Sequence, residues 1–95
     1  MLIIGVLLLS STAFAGKLEP PRNVTATAIS SSEIRLTWEL TSPGPYDLEI
    51  ERSSSDTPFV RIATVSKRAK EYIDRNLAAS TTYSYRMRAA RERGR

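Results

Sequence analysis

The chain alternates apolar and polar residues in short runs, a pattern that predicts β-strands with one buried face. In residues 34–38, for example, Ile34, Leu36 and Trp38 share one face. Further runs occupy residues 24–28, 46–52, 59–65, 72–74 and 83–89. No stretch shows helical periodicity, and short strands at regular spacing favour a β-sandwich.

Proline marks the boundaries of this strand-rich region. Pro20 and Pro21 precede the first run, and two successive prolines favour an extended backbone rather than a helix. Residues 41–45 contain two prolines and a glycine and are predicted to form a loop. We expect a lead-in segment over residues 16–20 and one domain over residues 21–95.

Residues 1–15 have the pattern of a secretory signal peptide. Residues 1–9 are nearly all aliphatic, polar residues follow, and Ala13 and Ala15 provide the small side chains that signal peptidase requires. We predict cleavage after Ala15 and a secreted or cell-surface protein. No Lys or Arg precedes the apolar run, and an uncleaved anchor is the alternative. Because the run is shorter than the about 20 residues of an ordinary span, we expect no stable membrane insertion.

The composition excludes several classes of function. The 95 residues include no Cys and no His, which removes thiol nucleophiles, Ser-His triads and the common zinc ligand sets. We therefore predict a chain that is not an enzyme and has no catalytic, metal or cofactor site. The net charge is +4, with five arginines in the last ten residues. No nucleic-acid-binding motif accompanies this charge, so we expect no nucleic-acid partner.

The order and spacing of the landmark residues resemble a fibronectin type III domain. The resemblance covers about residues 20–94 and depends on Pro20 and Pro21, Leu36-Thr37-Trp38, residues 46–52, Tyr72-x-Asp74-x-x-Leu77 and Tyr83-x-Tyr85-Arg86-Met87-x-Ala89. In detail it is similar to modules of bacterial extracellular proteins and secreted polysaccharide-degrading enzymes. It implies an all-β, immunoglobulin-like β-sandwich with strands A, B, C, C′, E and F present.

The resemblance also implies roles for individual side chains. Trp38 would be the large central side chain between the sheets, and Tyr83 would form a tyrosine corner whose hydroxyl bonds an upstream backbone group. Asp74 would cap the turn after strand E. The expected core consists of Leu36, Trp38, Tyr46, Leu48, Ile50, Tyr72, Leu77, Tyr83, Tyr85 and Met87.

The seventh strand of the family, G, is missing from the sequence. We expect residues 91–95 to begin the F–G loop and strand F to be an exposed edge. The preferred interpretation is a fragment of a longer protein. Alternatively, another chain supplies the strand, or six strands suffice. The expected partners are neighbouring domains or another protein at the edge of strand F.

Asp47, Glu49 and Glu51 recur at every second position and so share the outer face of strand C. Arg86 and Arg88 occupy the outer face of strand F, which lies beside strand C in this family. We therefore predict a cross-strand charge ladder of Glu49 and Glu51 against Arg86 and Arg88. A calcium site or an acid–base pair is the alternative.

Three further motifs bear on binding or covalent modification. Arg93-Gly94-Arg95 lacks the acidic third residue of an Arg-Gly-Asp motif, so we expect no integrin adhesion. The C-terminal arginines are a candidate site for an anionic glycan, although a solvated tail is preferred. Asn23 begins the N-glycosylation pattern Asn23-Val24-Thr25 and is a candidate glycosylation site.

Taken together, these features predict a non-catalytic extracellular module. We expect a spacer or protein-interaction domain, forming the N-terminal part of a longer secreted protein. The alternatives are an accessory module of a secreted carbohydrate-active enzyme and a cell-adhesion or receptor ectodomain.

Overall fold

The structure, a computed structural model, describes residues 3–6, 18–43 and 45–91. Within those residues the chain forms strands and no helix. The strands are β1 (Ile3–Val6), β2 (Arg22–Ser30), β3 (Glu33–Glu39), β4 (Asp47–Ser54), β5 (Thr57–Ser66), β6 (Glu71–Asp74) and β7 (Thr82–Ala90). Each run of alternating residues predicted from the sequence is one of the strands β2 to β7.

The strands form two sheets that pack face to face. One sheet has the order β1-β7-β4-β5 and the other the order β2-β3-β6. All pairings are antiparallel except that between β1 and β7. The predicted all-β sandwich is therefore confirmed, with β2 to β7 in the positions of strands A, B, C, C′, E and F.

Strand β1 was not predicted, because it lies within the expected signal peptide. Its register runs from Ile3 opposite Thr82 to Val6 opposite Tyr85, parallel to β7. The edge of β7, expected to be exposed along its length, is therefore paired over residues 82–85. Among the described residues, no strand pairs with this edge over residues 86–90. An aliphatic, partly β-branched segment satisfies the backbone groups that an unpaired edge leaves open.

Several predictions fall wholly or partly outside the described residues: the cleavage site after Ala15, the start of the F–G loop over residues 91–95, the Arg93-Gly94-Arg95 motif and the candidate glycan site at the C-terminal arginines. In the part of the chain that is described, no helix has the length and apolarity needed to cross a bilayer.

The core lies between the sheets and includes every predicted core residue except Trp38 and Tyr72. Its buried members are Val24, Ile34, Leu36, Tyr46, Leu48, Ile50, Leu77, Tyr83, Tyr85 and Met87. Trp38 and Tyr72 are partly buried and pack against the margin of this cluster.

The short length of β6 explains why Trp38 is not central. The pairing of β3 with β6 ends where Thr37 meets Glu71, so Trp38 projects beyond the end of β6. Tyr72 lies on β6 itself, which is an edge strand of its sheet. The expectation that Trp38 is the central side chain is thus wrong; Leu36 and Tyr85 are fully buried in its place.

Candidate functional site

The outer face of the four-stranded sheet carries the predicted acidic and basic side chains in pairs. The register sets Glu49 opposite Arg88 and Glu51 opposite Arg86. Arg88 Nε donates to Glu49 Oε1 at 2.6 Å, and Arg86 Nε donates to Glu51 Oε1. These four residues, together with Arg61, are termed the outer-face ladder.

Arg61 on β5 is a member of this ladder that sequence reasoning missed. Its Nη1 donates to Glu49 Oε2 at 3.3 Å, so the Glu49 carboxylate lies between two guanidinium groups and its side chain is only 11% exposed. A register shift after Ile50 determines which residues of β4 and β5 are opposite each other, and the sequence gives no sign of it. Asp47 is opposite Ser66 and Ala90 and lies outside the ladder.

Phe59 is the aromatic residue of this outer face, and an arginine covers it. The Arg86 guanidinium lies 4.2 Å from the centroid of the Phe59 ring. Such stacking is a favourable cation–π contact. The ring is therefore occupied by a neighbouring side chain and is not a free platform for a ligand.

A second charged group lies inside the sandwich and joins the two sheets. Arg52 Nη1 on β4 donates to both Oδ1 and Oδ2 of Asp74 on β6, each at 2.8 Å. The Tyr85 hydroxyl on β7 donates to Asp74 Oδ2 at 2.8 Å. We term Arg52, Asp74 and Tyr85 the inter-sheet cluster.

Asp74 therefore has a role that differs from the one predicted. It is 4% exposed, and its carboxylate accepts hydrogen bonds from Arg52 and Tyr85 instead of capping the turn after β6. A buried carboxylate needs a charged partner and further hydrogen bonds, because desolvation of an unpaired charge is costly. The cluster supplies both.

The alternation of β4 explains how a charged residue reaches the interior. Arg52 continues the inward series of Leu48 and Ile50, and it is opposite the fully buried Tyr85. Alternation along β4 in the sequence therefore indicates an inward-facing Arg52. The position of its partner Asp74 on the other sheet could not be obtained from spacing alone.

The cluster shifts the acid–base behaviour of two of its members. Burial, followed by the hydrogen bond and the negative charge of Asp74, raises the pKa of the Tyr85 hydroxyl far above its usual value. Burial lowers the pKa of Arg52, but the hydrogen bond and charge of Asp74 outweigh this effect and leave that pKa raised. Arg52 therefore stays charged and Tyr85 stays protonated over the physiological range.

Tyr83 lies next to the cluster. The backbone N–H of Ala78 donates to the Tyr83 hydroxyl oxygen at 2.9 Å, which is the contact expected of a tyrosine corner. The Arg52 guanidinium lies 5.7 Å from the centroid of the Tyr83 ring. Arg52 is thus held by Asp74 on one side and contacts an aromatic ring on another.

A small cavity of about 210 Å³ opens beside Arg52. It is lined by Arg52, Ser53, Ser54, Thr57, Val60 and Tyr83. Most of its lining comes from the end of β4 and the start of β5, around the turn that connects them.

Asn23, the candidate glycosylation site, is exposed at an irregular point of β2. Its backbone is left-handed, with φ of 54°, and the register of β2 against β3 shifts between Arg22 and Thr25. Asn tolerates this conformation better than most residues. Its side-chain Nδ2, the atom that a glycan would modify, donates to Glu39 Oε1 at 2.9 Å.

No group of three or more acidic side chains within the described ranges is arranged to hold a metal ion. In particular, Glu49 and Glu51 are engaged by arginines and Asp47 lies apart from them.

Comparison with protein families finds one match that spans most of the chain. The model of the fibronectin type III domain matches residues 19–95.

Curated relatives include three bacterial proteins named amylopullulanase. That of Thermoanaerobacterium saccharolyticum is 42% identical over 64 residues, which is 65% of this chain and 5% of the relative. Those of Thermoanaerobacterium thermosulfurigenes and Thermoanaerobacter thermohydrosulfuricus are 43% and 39% identical over 60% and 62% of this chain. The matched segment is 3% and 4% of their respective lengths.

Solved structures show the same fold. The chicken CNTN1 FN1-FN3 domains superpose with a TM-score of 0.70 at 24% identity, covering 78% of this chain and 26% of theirs. A computationally redesigned β-sandwich protein gives a TM-score of 0.68 at 21% identity, covering 79% of this chain and 77% of its own. At such identities the likeness concerns the fold alone.

Proposed function

The chain belongs to the fibronectin type III family, and we propose that it is a non-catalytic spacer or interaction module of a longer, secreted carbohydrate-active enzyme. The observation that carries this proposal is the match to three amylopullulanases at 39–43% identity. In each relative the matched segment is a few per cent of a much longer chain. A domain of this size within such a protein is suited to an accessory role.

The arrangement of charges supports a passive role. On the outer face, Glu49 and Glu51 are engaged by three arginines, and in the interior Asp74 is held by Arg52 and Tyr85. Carboxylates fixed in this way are poorly suited to transfer protons to a substrate. They are well suited to hold a sandwich in one shape.

The dimensions of the domain suit a spacer. The molecule measures 41 Å along its longest axis, and its two sheets are joined by a buried core and the inter-sheet cluster. A rigid body of this length sets a minimum separation between the domains on either side. A flexible linker of the same number of residues would set no such minimum separation.

The interaction part of the proposal concerns the edge of β7. Residues 86–90 have no strand partner at this edge among the described residues, and exposed strand edges accept further strands. We propose that a neighbouring domain or another protein contacts this edge. The expected secretion of the chain, through cleavage after Ala15, belongs to the same proposal. Such cleavage would also remove β1, so the mature domain would offer the whole edge over residues 82–90.

The experiment that tests the proposal is an exchange within a related enzyme. In the T. saccharolyticum amylopullulanase, the similar segment is replaced either by residues 19–95 of this chain or by a flexible Gly/Ser linker of equal length. We expect the exchange to preserve activity on polymeric substrate. The linker should lower that activity while hydrolysis of a short oligosaccharide stays unchanged.

Two results would contradict the proposal. Equal activity of the linker and domain variants on the polymer would remove the spacer role. Hydrolysis by this chain alone would show that it is itself catalytic.

A further inference from the structure

Hydroxyl-bearing residues line part of the cavity beside Arg52. In the part of the chain that is described, the side chains of Ser54 and Thr57 form no hydrogen bond with another residue, whereas hydroxyls such as Tyr83 and Tyr85 do. Ser54 is opposite Thr57 on β5 and Tyr83 on β7, so these residues share the face of the sheet that carries Arg52. Hydroxyl groups both donate and accept. Two of them beside one concavity offer a ligand adaptable polar contacts.

Arg52 adds fixed hydrogen-bond donors to this lining. Its Nη1 is used by Asp74, whereas its Nε and Nη2 have no acceptor among the described residues. Asp74, which is 4% exposed, and the Tyr83 ring hold the guanidinium in place. The donors are therefore oriented before any ligand arrives, which reduces the entropy lost on binding.

The charge of the site favours a neutral ligand over an anion. The positive charge of Arg52 is compensated by the Asp74 carboxylate at 2.8 Å from Nη1. An oxyanion would have to compete with that carboxylate, whereas a neutral hydroxyl only needs the unused N–H groups. Val60, which is 46% exposed, adds an apolar surface that the C–H side of a sugar ring can contact.

We propose that this cavity binds one sugar ring of a neutral carbohydrate chain through Arg52, Ser54 and Thr57. The choice of a carbohydrate over another neutral polyol rests on the proposed association with a carbohydrate-active enzyme. The volume of about 210 Å³ is below the roughly 300–1,000 Å³ of pockets that enclose a whole ligand. The site therefore takes one ring or a chain end and binds it weakly.

Such binding does not require an aromatic platform. Phe59 is covered by Arg86, and Tyr83 is 8% exposed. Recognition here depends on hydroxyl and guanidinium contacts, so binding strength should follow hydrogen-bonding capacity rather than ring stacking.

The test is an NMR titration of the full chain with maltotriose, with glycerol and inorganic phosphate as separate arms. Maltotriose should shift the backbone amide signals of Ser53, Ser54 and Thr57 in a saturable manner, with a dissociation constant in the millimolar range. Thr57→Val keeps the shape of the side chain but removes its hydroxyl, and should weaken binding about 3- to 10-fold. Thr64→Val, on the same strand but outside the cavity, should leave binding unchanged.

Three results would overturn the inference: no saturable shift with maltotriose, an equal effect of Thr57→Val and Thr64→Val, or saturation by phosphate at lower concentration than by maltotriose. An equal response to glycerol would show a general polyol site and would also reject sugar specificity. The enzyme exchange experiment does not depend on this site. A domain that preserves polymer activity but binds no sugar would leave the spacer role intact.

Discussion

The inter-sheet cluster and the outer-face ladder use the same chemical groups in different surroundings. Arg52 and Asp74 are 2.8 Å apart, and Arg88 and Glu49 are 2.6 Å apart. The carboxylates are both largely buried, with Asp74 5% and Glu49 11% exposed, but their partners differ: Arg52 is 29% exposed and Arg88 is 58% exposed. Similar geometry therefore does not imply similar energy, because the dielectric environment differs.

The two groups also connect different parts of the fold. The ladder joins β4, β5 and β7, which already share backbone hydrogen bonds within one sheet. The cluster joins β4 and β7 to β6 across the interior, where no backbone hydrogen bonds link the strands. We expect the cluster to contribute to the docking of the sheets and the ladder to add only slightly to pairing that already exists.

The largest effect is expected from Asp74→Ala. It leaves the Arg52 guanidinium and the Tyr85 hydroxyl without their acceptor, and breaking a buried pair in this way costs about 3–5 kcal/mol. We expect a loss of stability near the lower end of this range, because the Arg52 side chain is 29% exposed and water can solvate part of its charge. The measurement is the free energy of unfolding from urea denaturation.

Glu51→Ala is the matched control in the ladder. An exposed pair of this kind contributes about 0–1 kcal/mol. If both substitutions reduced the free energy of unfolding equally, the contrast between buried and exposed pairs would be wrong for this protein.

A smaller effect is expected from Tyr85→Phe, which removes only the hydroxyl that donates to Asp74. A hydrogen bond to a charged group contributes about 1.5–3 kcal/mol. The raised pKa of Tyr85 adds a pH dependence: the folded state keeps a proton that the unfolded state releases above its pKa of about 10. Stability is therefore full below about pH 10 and falls above it by up to about 1.4 kcal/mol per pH unit.

Tyr85→Phe should remove the part of the loss of stability above about pH 10 that is due to the Tyr85 hydroxyl. The measurement is the free energy of unfolding from urea denaturation at pH values from 9 upwards, in steps of about half a unit. Tyr72→Phe is the comparison, because Tyr72 is only partly buried and lies outside the cluster. If the free energy of unfolding fell equally steeply with pH in both variants, Tyr85 would be excluded as the source of the fall.

A small effect, comparable with that of Glu51→Ala, is expected from Glu49→Gln. It removes the charge between Arg61 and Arg88 and should cost about 1 kcal/mol at low salt. The difference from the unsubstituted protein should shrink as salt is added, because the Arg61 and Arg88 side chains are 49% and 58% exposed and their charges are screened. Asp47→Asn changes the charge on the same face outside the ladder and should have less effect; an equal loss would mean that general surface charge, not the ladder, is responsible.

The sequence allowed the ladder to be anticipated because it depends on local alternation. Glu49 and Glu51 are two residues apart, as are Arg86 and Arg88, so each pair necessarily shares a face. That the two strands lie side by side is implied by the family resemblance. Only Arg61 was missed, since its partner depends on a register shift that the residues themselves do not reveal.

The cluster and the margin of the core were harder to predict because they depend on contacts between distant segments. Asp74 is 22 residues after Arg52 and lies in the other sheet, so no spacing rule connects them. Alternation correctly directs Trp38 inward, but its burial depends on where β6 ends. The pairing of β1 was hidden because residues 1–15 have the composition of a signal peptide.

The inter-sheet cluster has a consequence for tension on the domain. Between residues 18 and 91 the chain begins with β2 in one sheet and ends with β7 in the other, so force between these two residues pulls one sheet relative to the other. Tyr85 lies on the loaded strand β7 and is bonded to Asp74 in the opposite sheet. Part of the force therefore passes directly through this contact, and Asp74 acts as a mechanical anchor that resists sliding of the sheets under load.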